Sequence, residues 1–165
     1  MIVLIGGEKG GTGKTTIVTN LAAIAVNNEK DLLLVDTDKQ GSASAWASIR
    51  DEDEKTKRVH CVQKFGDSVA KEIRSLNNKF HDILIDAGGQ NSQELRGAML
   101  VADKMYIPIQ AAQFDVWTLG VMDKLVSQAK IMNEKLKAYV VINRGTTNPS
   151  IGEVDEVISV MEEFE

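Results

Sequence analysis

Nine consecutive residues, Glu8-Lys9-Gly10-Gly11-Thr12-Gly13-Lys14-Thr15-Thr16, combine the groups needed to hold a phosphate chain. Glycines let a backbone curl so that successive N–H groups face inward and form a concavity for anions. A helix opening at this point adds its unsatisfied first-turn donors and the positive end of its dipole. Lys14 then supplies a cation to the β- and γ-phosphates, and the Thr15 hydroxyl is a magnesium ligand. Phosphoryl chemistry at such a loop also calls for carboxylates near the metal and the attacking water. Three carboxylates stand at the ends of apolar runs. Asp36 and Asp38 lie in Val35-Asp36-Thr37-Asp38-Lys39-Gln40, and Asp86 heads Asp86-Ala87-Gly88-Gly89. An aspartate at such a junction also serves as a helix N-cap or a turn residue, and that use remains open for all three.

The scaffold that carries these residues is readable from periodicity. Short apolar runs at 2–5, 32–35, 82–86, 104–108 and 138–142, with a weaker one at 59–62, have the length and composition of buried strands. Between them, residues 14–28, 41–50, 68–77, 92–102, 115–134 and 150–164 carry helical spacing; in the longest, Val116, Leu119, Met122, Leu125, Val126 and Ala129 share one face. Pro108 is expected to close its strand. The charge run from Asp51 to Arg58 reads as a solvated connection. Such alternation predicts one α/β domain over residues 1–165. With the glycine-rich loop between its first strand and helix, the expected architecture resembles that of a P-loop NTPase, a mostly parallel sheet with helices on both faces, three layers in all. Right-handed crossovers place every strand's C-terminal end, and so every residue singled out above, along one edge.

The glycine-rich stretch departs from the ordinary G-x-x-x-x-G-K-[ST] pattern, because Glu8 stands where the first glycine belongs and a second lysine, Lys9, precedes Lys14 by five. In this it resembles the deviant Walker A motif of the ParA/MinD family of partition and positioning ATPases. The resemblance runs to about residue 145 and is specific in its first half. It implies that ATP and Mg²⁺ bind at Gly10, Gly11, Thr12, Gly13, Lys14, Thr15 and Thr16. It also implies that Lys9 reaches the phosphates bound by a second protomer in a nucleotide-sandwich dimer. Asp36 and Asp38 resemble the switch I pair, the first near the Mg²⁺ shell and the second positioning water, with Lys39 replacing the family's usual proline. Asp86 resembles the Walker B aspartate, and Asn143 matches a position that contacts adenine. An alternative for Asn143-Arg144-Gly145 is a plain turn.

Small ParA-type plasmid partition ATPases are the branch most resembled. That implies a weak, partner-stimulated ATPase, a homodimer on ATP, nonspecific DNA binding, a ParB-like centromere-binding partner and a cytoplasmic or nucleoid-associated location. Lys124, Lys130, Lys135 and Lys137 are candidate DNA contacts or simply a solvated face. Two alternatives are a positioning ATPase for another cargo and a phosphoryl-transfer enzyme resembling dethiobiotin synthetase.

Composition narrows the classes further. Hydrophobic residues make up 43% and charged residues 26%, the balance of a globular domain with a core. With a single cysteine, Cys61, no disulfide framework or cysteine-held cluster forms within one chain. His60, Cys61 and His81 lack the spacing of a metal site. No stretch approaches the ~20 apolar residues of a membrane span, so no membrane partner is expected. The net charge of −5 is uneven: residues 151–165 hold Glu153, Asp155, Glu156, Glu162, Glu163 and Glu165 without Lys or Arg, and subtracting these six leaves residues 1–150 at +1. An acidic final helix has the wrong sign for anionic lipid. Where relatives of the resembled family continue with a further strand and helix, this sequence stops at Glu165. The expectation is either a short relative or a sequence ending before its natural C-terminus.

Overall fold

A computed structural model describes residues 1–89, 91–111, 113–145 and 152–161. Along them run β1 (Ile2–Ile5), α1 (Lys14–Asn27), β2 (Leu32–Asp36), α2 (Ser42–Glu52), β3 (His60–Gln63) and α3 (Val69–Leu76). They continue with β4 (Asp82–Asp86), α4 (Gln93–Met99), β5 (Lys104–Ile109), α5 (Gln113–Met132), β6 (Lys137–Ile142) and α6 (Glu153–Met161). All six strands pair in parallel, in the order β3-β2-β4-β1-β5-β6.

The apolar runs become central strands because both of their faces are covered. Every residue of β1 and β2 is buried. On one face Leu4, Leu33, Val35, Ile83 and Ile85 pack with residues of α3, α4 and α5, including Ile73, Leu95 and Met122. On the other, Val3, Ile5, Leu32, Leu34 and Leu84 pack with Val18, Ala22 and Val26 of α1 and Ala43 of α2. Each such large side chain, removed from water, stabilises by roughly 1.5–3 kcal/mol before entropy is counted. The three-layer expectation is therefore met, with the described strands all parallel.

Local differences have local causes. β5 does not end at Pro108 but continues to Ile109, with Pro108 paired in register to Val141. The β1–β5 ladder stops at Ile5↔Tyr106, so the proline lies past its reach and its missing N–H costs no ladder bond there. α4 begins later than expected because the Ser92 hydroxyl accepts from Leu95 N–H at 3.1 Å, which makes Ser92 the N-cap. α2 runs two residues into the charge run, to Glu52. The expected inner face of α5 is buried at Leu119, Met122, Leu125, Val126 and Ala129. The side chains of Val116 and Trp117, and all of Pro149, lie outside the described residues.

Register sets the functional edge. Ile5 and Asp36 both pair with Asp86, so β1, β2 and β4 end flush. The segments that follow them start from adjacent points at one end of the sheet.

Candidate functional site

Between β1 and α1 the chain turns through Gly11 at φ +77° and Gly13 at φ +95°, conformations that L side chains avoid. Gly13 is the N-cap of α1 and has no side chain to occupy the helix's first N–H groups. Thr12 is buried beside it, and its Oγ1 has no hydrogen-bond partner. Lys14 is buried too, its Nζ donating to the Lys9 carbonyl at 2.6 Å. Burial lowers its pKa, opposed by the negative charges of Asp86 and Asp38. Further negative charge placed in the loop would offset that desolvation. Thr16 is exposed on the first turn of α1.

Thr15 and Asp86 meet across the site: the Thr15 hydroxyl donates to Asp86 Oδ2 at 2.7 Å. Asp86 is 1% exposed and its Oδ1 has no partner. Burial, reinforced by Asp36 and Asp38, lifts its carboxyl to about 7 against the Thr15 hydrogen bond and Lys14. With the adjacent hydroxyl, a carboxylate so placed offers hard oxygen donors to a cation. The donor chemistry fits Mg²⁺.

Asp38 lies against the chain that follows Asp86. A Cβ on Gly88 would come 3.1 Å from Asp38 Cγ, and one on Gly89 would come 3.3 Å from both Gly10 N and the Glu8 carbonyl. The two glycines thus let the β4 loop press on Asp38 and on the glycine-rich loop at once. Asp38 Oδ1 accepts from Gln40 N–H at 2.9 Å, a turn bond that fixes its rotamer. Asp36 is differently occupied. It is fully buried, with Oδ2 accepting from Ser44 N–H at 2.8 Å and Oδ1 from Asp38 N–H at 3.1 Å. Both oxygens order the β2–α2 segment.

Asn143, just past β6, donates from Nδ2 to the Thr12 carbonyl at 2.8 Å. Gln110, just past β5, donates from Nε2 to the Gly11 carbonyl at 3.1 Å. The sequence reading missed Gln110. It also missed Thr37, whose N–H and hydroxyl both reach the Asp86 carbonyl, at 2.9 and 3.0 Å. It missed buried Glu94, whose Oε1 accepts from Gly66 N–H at 3.1 Å and ties α4 to the loop after β3. Their only signal is strand order, since each is defined by a neighbour distant in sequence. Away from this edge, Cys61 lies 3.6 Å from the Ser44 hydroxyl. Lys124 and Lys130 are exposed on α5, Lys135 on the turn to β6 and Lys137 at the start of β6. Among the described residues no helix is long and apolar enough to cross a membrane.

Residues 3–162 match the profile of the CobQ/CobB/MinD/ParA nucleotide binding domain. A maintenance of carboxysome distribution protein A from Halothiobacillus neapolitanus is 26% identical over 138 residues, 82% of this chain and 62% of its own length. The chromosome partitioning protein ParA of Myxococcus xanthus is 47% identical over 49 residues, 30% of this chain and 17% of its own length. The chain thus spans less than two thirds of these relatives. Cobyrinic acid a,c-diamide synthase from Mycobacterium smegmatis, solved with ADP and magnesium, shares the fold at a TM-score of 0.79 and 16% identity, over 99% of this chain and 82% of that one.

Proposed function

Because the chain belongs to the CobQ/CobB/MinD/ParA nucleotide-binding domain family, we propose that it is an ATP-binding and ATP-hydrolysing switch that dimerises on ATP. The observation that carries this reading is the Thr15–Asp86 pair. A hydroxyl and a buried carboxyl meet at 2.7 Å, one carboxyl oxygen is left without a partner, and buried Lys14 is close enough to act on the same charge.

In this reading each group takes a role. The backbone N–H groups of Gly10 to Thr16 and the Lys14 ammonium hold the phosphate chain. Thr15 and Asp86 hold Mg²⁺, which when bound supplies charge neutralisation to the phosphate oxygens. Asp38, its rotamer set by the turn to Gln40, orients the attacking water. Asp36 acts on the metal shell through the segment it orders. Asn143 contributes to the nucleotide pocket, and Lys9 completes the site of a second protomer.

For cargo, the reading is DNA partition. The ATP dimer engages nonspecific DNA, with exposed Lys124, Lys130, Lys135 and Lys137 as candidates, and a ParB-like centromere-binding protein stimulates a weak ATPase. A second reading is positioning of a protein microcompartment. It is favoured by the relative named for carboxysome distribution, which aligns over 138 residues where the partitioning relative aligns over 49.

Light scattering tests the switch, on wild type and Lys9→Ala, with ADP or with a non-hydrolysable ATP analogue and Mg²⁺. The expected result is a dimer with the ATP analogue alone, lost in Lys9→Ala. A monomer that binds ATP tightly under both conditions would instead support a small-molecule phosphotransferase of the dethiobiotin synthetase kind.

A further inference from the structure

Two side-chain amides from neighbouring strand ends grip consecutive carbonyls of the glycine-rich loop, Gln110 holding Gly11 and Asn143 holding Thr12. Their adjacency is dictated by register. β5 and β6 pair Ile109 with Ile142, and Asn143 N–H extends the ladder to the Ile109 carbonyl at 2.7 Å. Gln110 and Asn143 are therefore the next positions past the end of the sheet on two adjacent strands.

A trans peptide is planar, and its N–H and C=O point in opposite directions. Holding the Gly11 carbonyl toward Gln110 turns the Thr12 N–H away from the strand ends. Holding the Thr12 carbonyl toward Asn143 does the same for the Gly13 N–H. Successive N–H groups turned to one side make an anion cradle. Without an external hold, Gly10, Gly11 and Gly13 would leave those peptide planes free to rotate. The fit around Asn143 is tight, since a Cβ on Gly13 would lie 2.3 Å from its Nδ2.

We propose that Gln110 and Asn143 are positioning residues for the phosphate chain, a paired amide clamp that presets the loop's N–H groups before nucleotide arrives. The inference rests on the phosphate-loop reading above. It assigns a task to Gln110, and it gives Asn143 an action on the phosphates, through the loop, in addition to any contact with the base.

The test compares wild type, Gln110→Met and Asn143→Ala, all neutral at these positions, in calorimetric titrations with ADP and with inorganic tripolyphosphate. Amide hydrogen exchange at Thr12 and Gly13 in the ligand-free proteins is measured alongside. The expected result is that each variant binds tripolyphosphate at least tenfold more weakly and ADP by at least that factor, with faster exchange at Thr12 and Gly13 and a nearly unchanged melting temperature. Loss of ADP binding with tripolyphosphate binding intact in Asn143→Ala would reduce that residue to a base contact and overturn the clamp. Unchanged exchange at Thr12 and Gly13 in both variants would overturn it independently of any ligand. A wild type that binds neither ligand would overturn the phosphate reading itself, a result distinct from either failure of the clamp.

Discussion

Thr15 and Asp86, 71 positions apart, are joined by a 2.7 Å hydrogen bond that ties the first turn of α1 to the end of β4. The bond occupies one oxygen of a carboxyl that burial holds near neutrality, with the other oxygen unpartnered. The site is thereby built around a charge that the ligand-free protein carries at a cost.

That cost has a pH signature. The Asp86 carboxyl is raised from an ordinary 3.8 to about 7 in the folded protein, so between these values the folded state holds a proton that the unfolded chain releases. Its contribution to stability is complete below about pH 4 and is lost as pH rises through about 7. In urea titrations without nucleotide or magnesium, Asp86→Asn should gain on wild type by about 2–3 kcal/mol between pH 5 and pH 8. A difference that stays constant with pH would mean that the carboxyl is ionised throughout.

Asp36 should prove chiefly structural. Removing its two buried acceptors in Asp36→Ala strands the N–H groups of Ser44 and Asp38, at a cost of about 2–4 kcal/mol in chemical denaturation. ADP binding at saturating concentration should survive. A variant as stable as wild type but unable to bind Mg²⁺-nucleotide would reverse the assignment and make Asp36 a metal group.

Gly13→Ala tests steric dependence on Asn143. The substitution meets two penalties: a φ of +95°, worth roughly 1–3 kcal/mol for a residue with a Cβ, and a contact of 2.3 Å with Asn143 Nδ2. Adding Asn143→Ala should relieve the contact and leave the backbone penalty, a non-additive pair in a double-mutant cycle. Strict additivity would show that the amide moves aside freely.

Cys61 should be a slow thiol. Burial pushes its pKa up, against a hydrogen bond with the Ser44 hydroxyl and with Asp36 and Asp86 adding to the rise. Since the thiolate is the reactive form, alkylation by iodoacetamide at pH 7.5 should run at least tenfold slower than in urea-unfolded protein, followed as a mass shift. Equal rates in both states would place the thiol in the open.

Much of the molecule was legible along the chain. Apolar runs such as Leu32–Val35 and Asp82–Asp86 announce buried strands because a parallel strand must present two dry faces, and both lie within the strands observed. The strand–loop–helix junction was equally plain, since the glycine spacing between Ile5 and Lys14 is local chemistry. Strand ends and helix starts drifted by a residue or two where a cap or a ladder boundary decided them, as at Ser92 and Pro108.

The sequence by itself determined which residue types stand at the ends of strands, because hydrophobic period and turn chemistry are written in consecutive positions. Only the tertiary structure decided which of those residues share a site and what each atom does there. The order β3-β2-β4-β1-β5-β6 sets Asp36 beside Asp86 and Gln110 beside Asn143. From that adjacency come the two Thr37 donors on the Asp86 carbonyl and the amide clamp on the loop. Hydrogen bonds act over about 3 Å and are indifferent to sequence distance, so such pairings exist only once the sheet has brought its strand ends together.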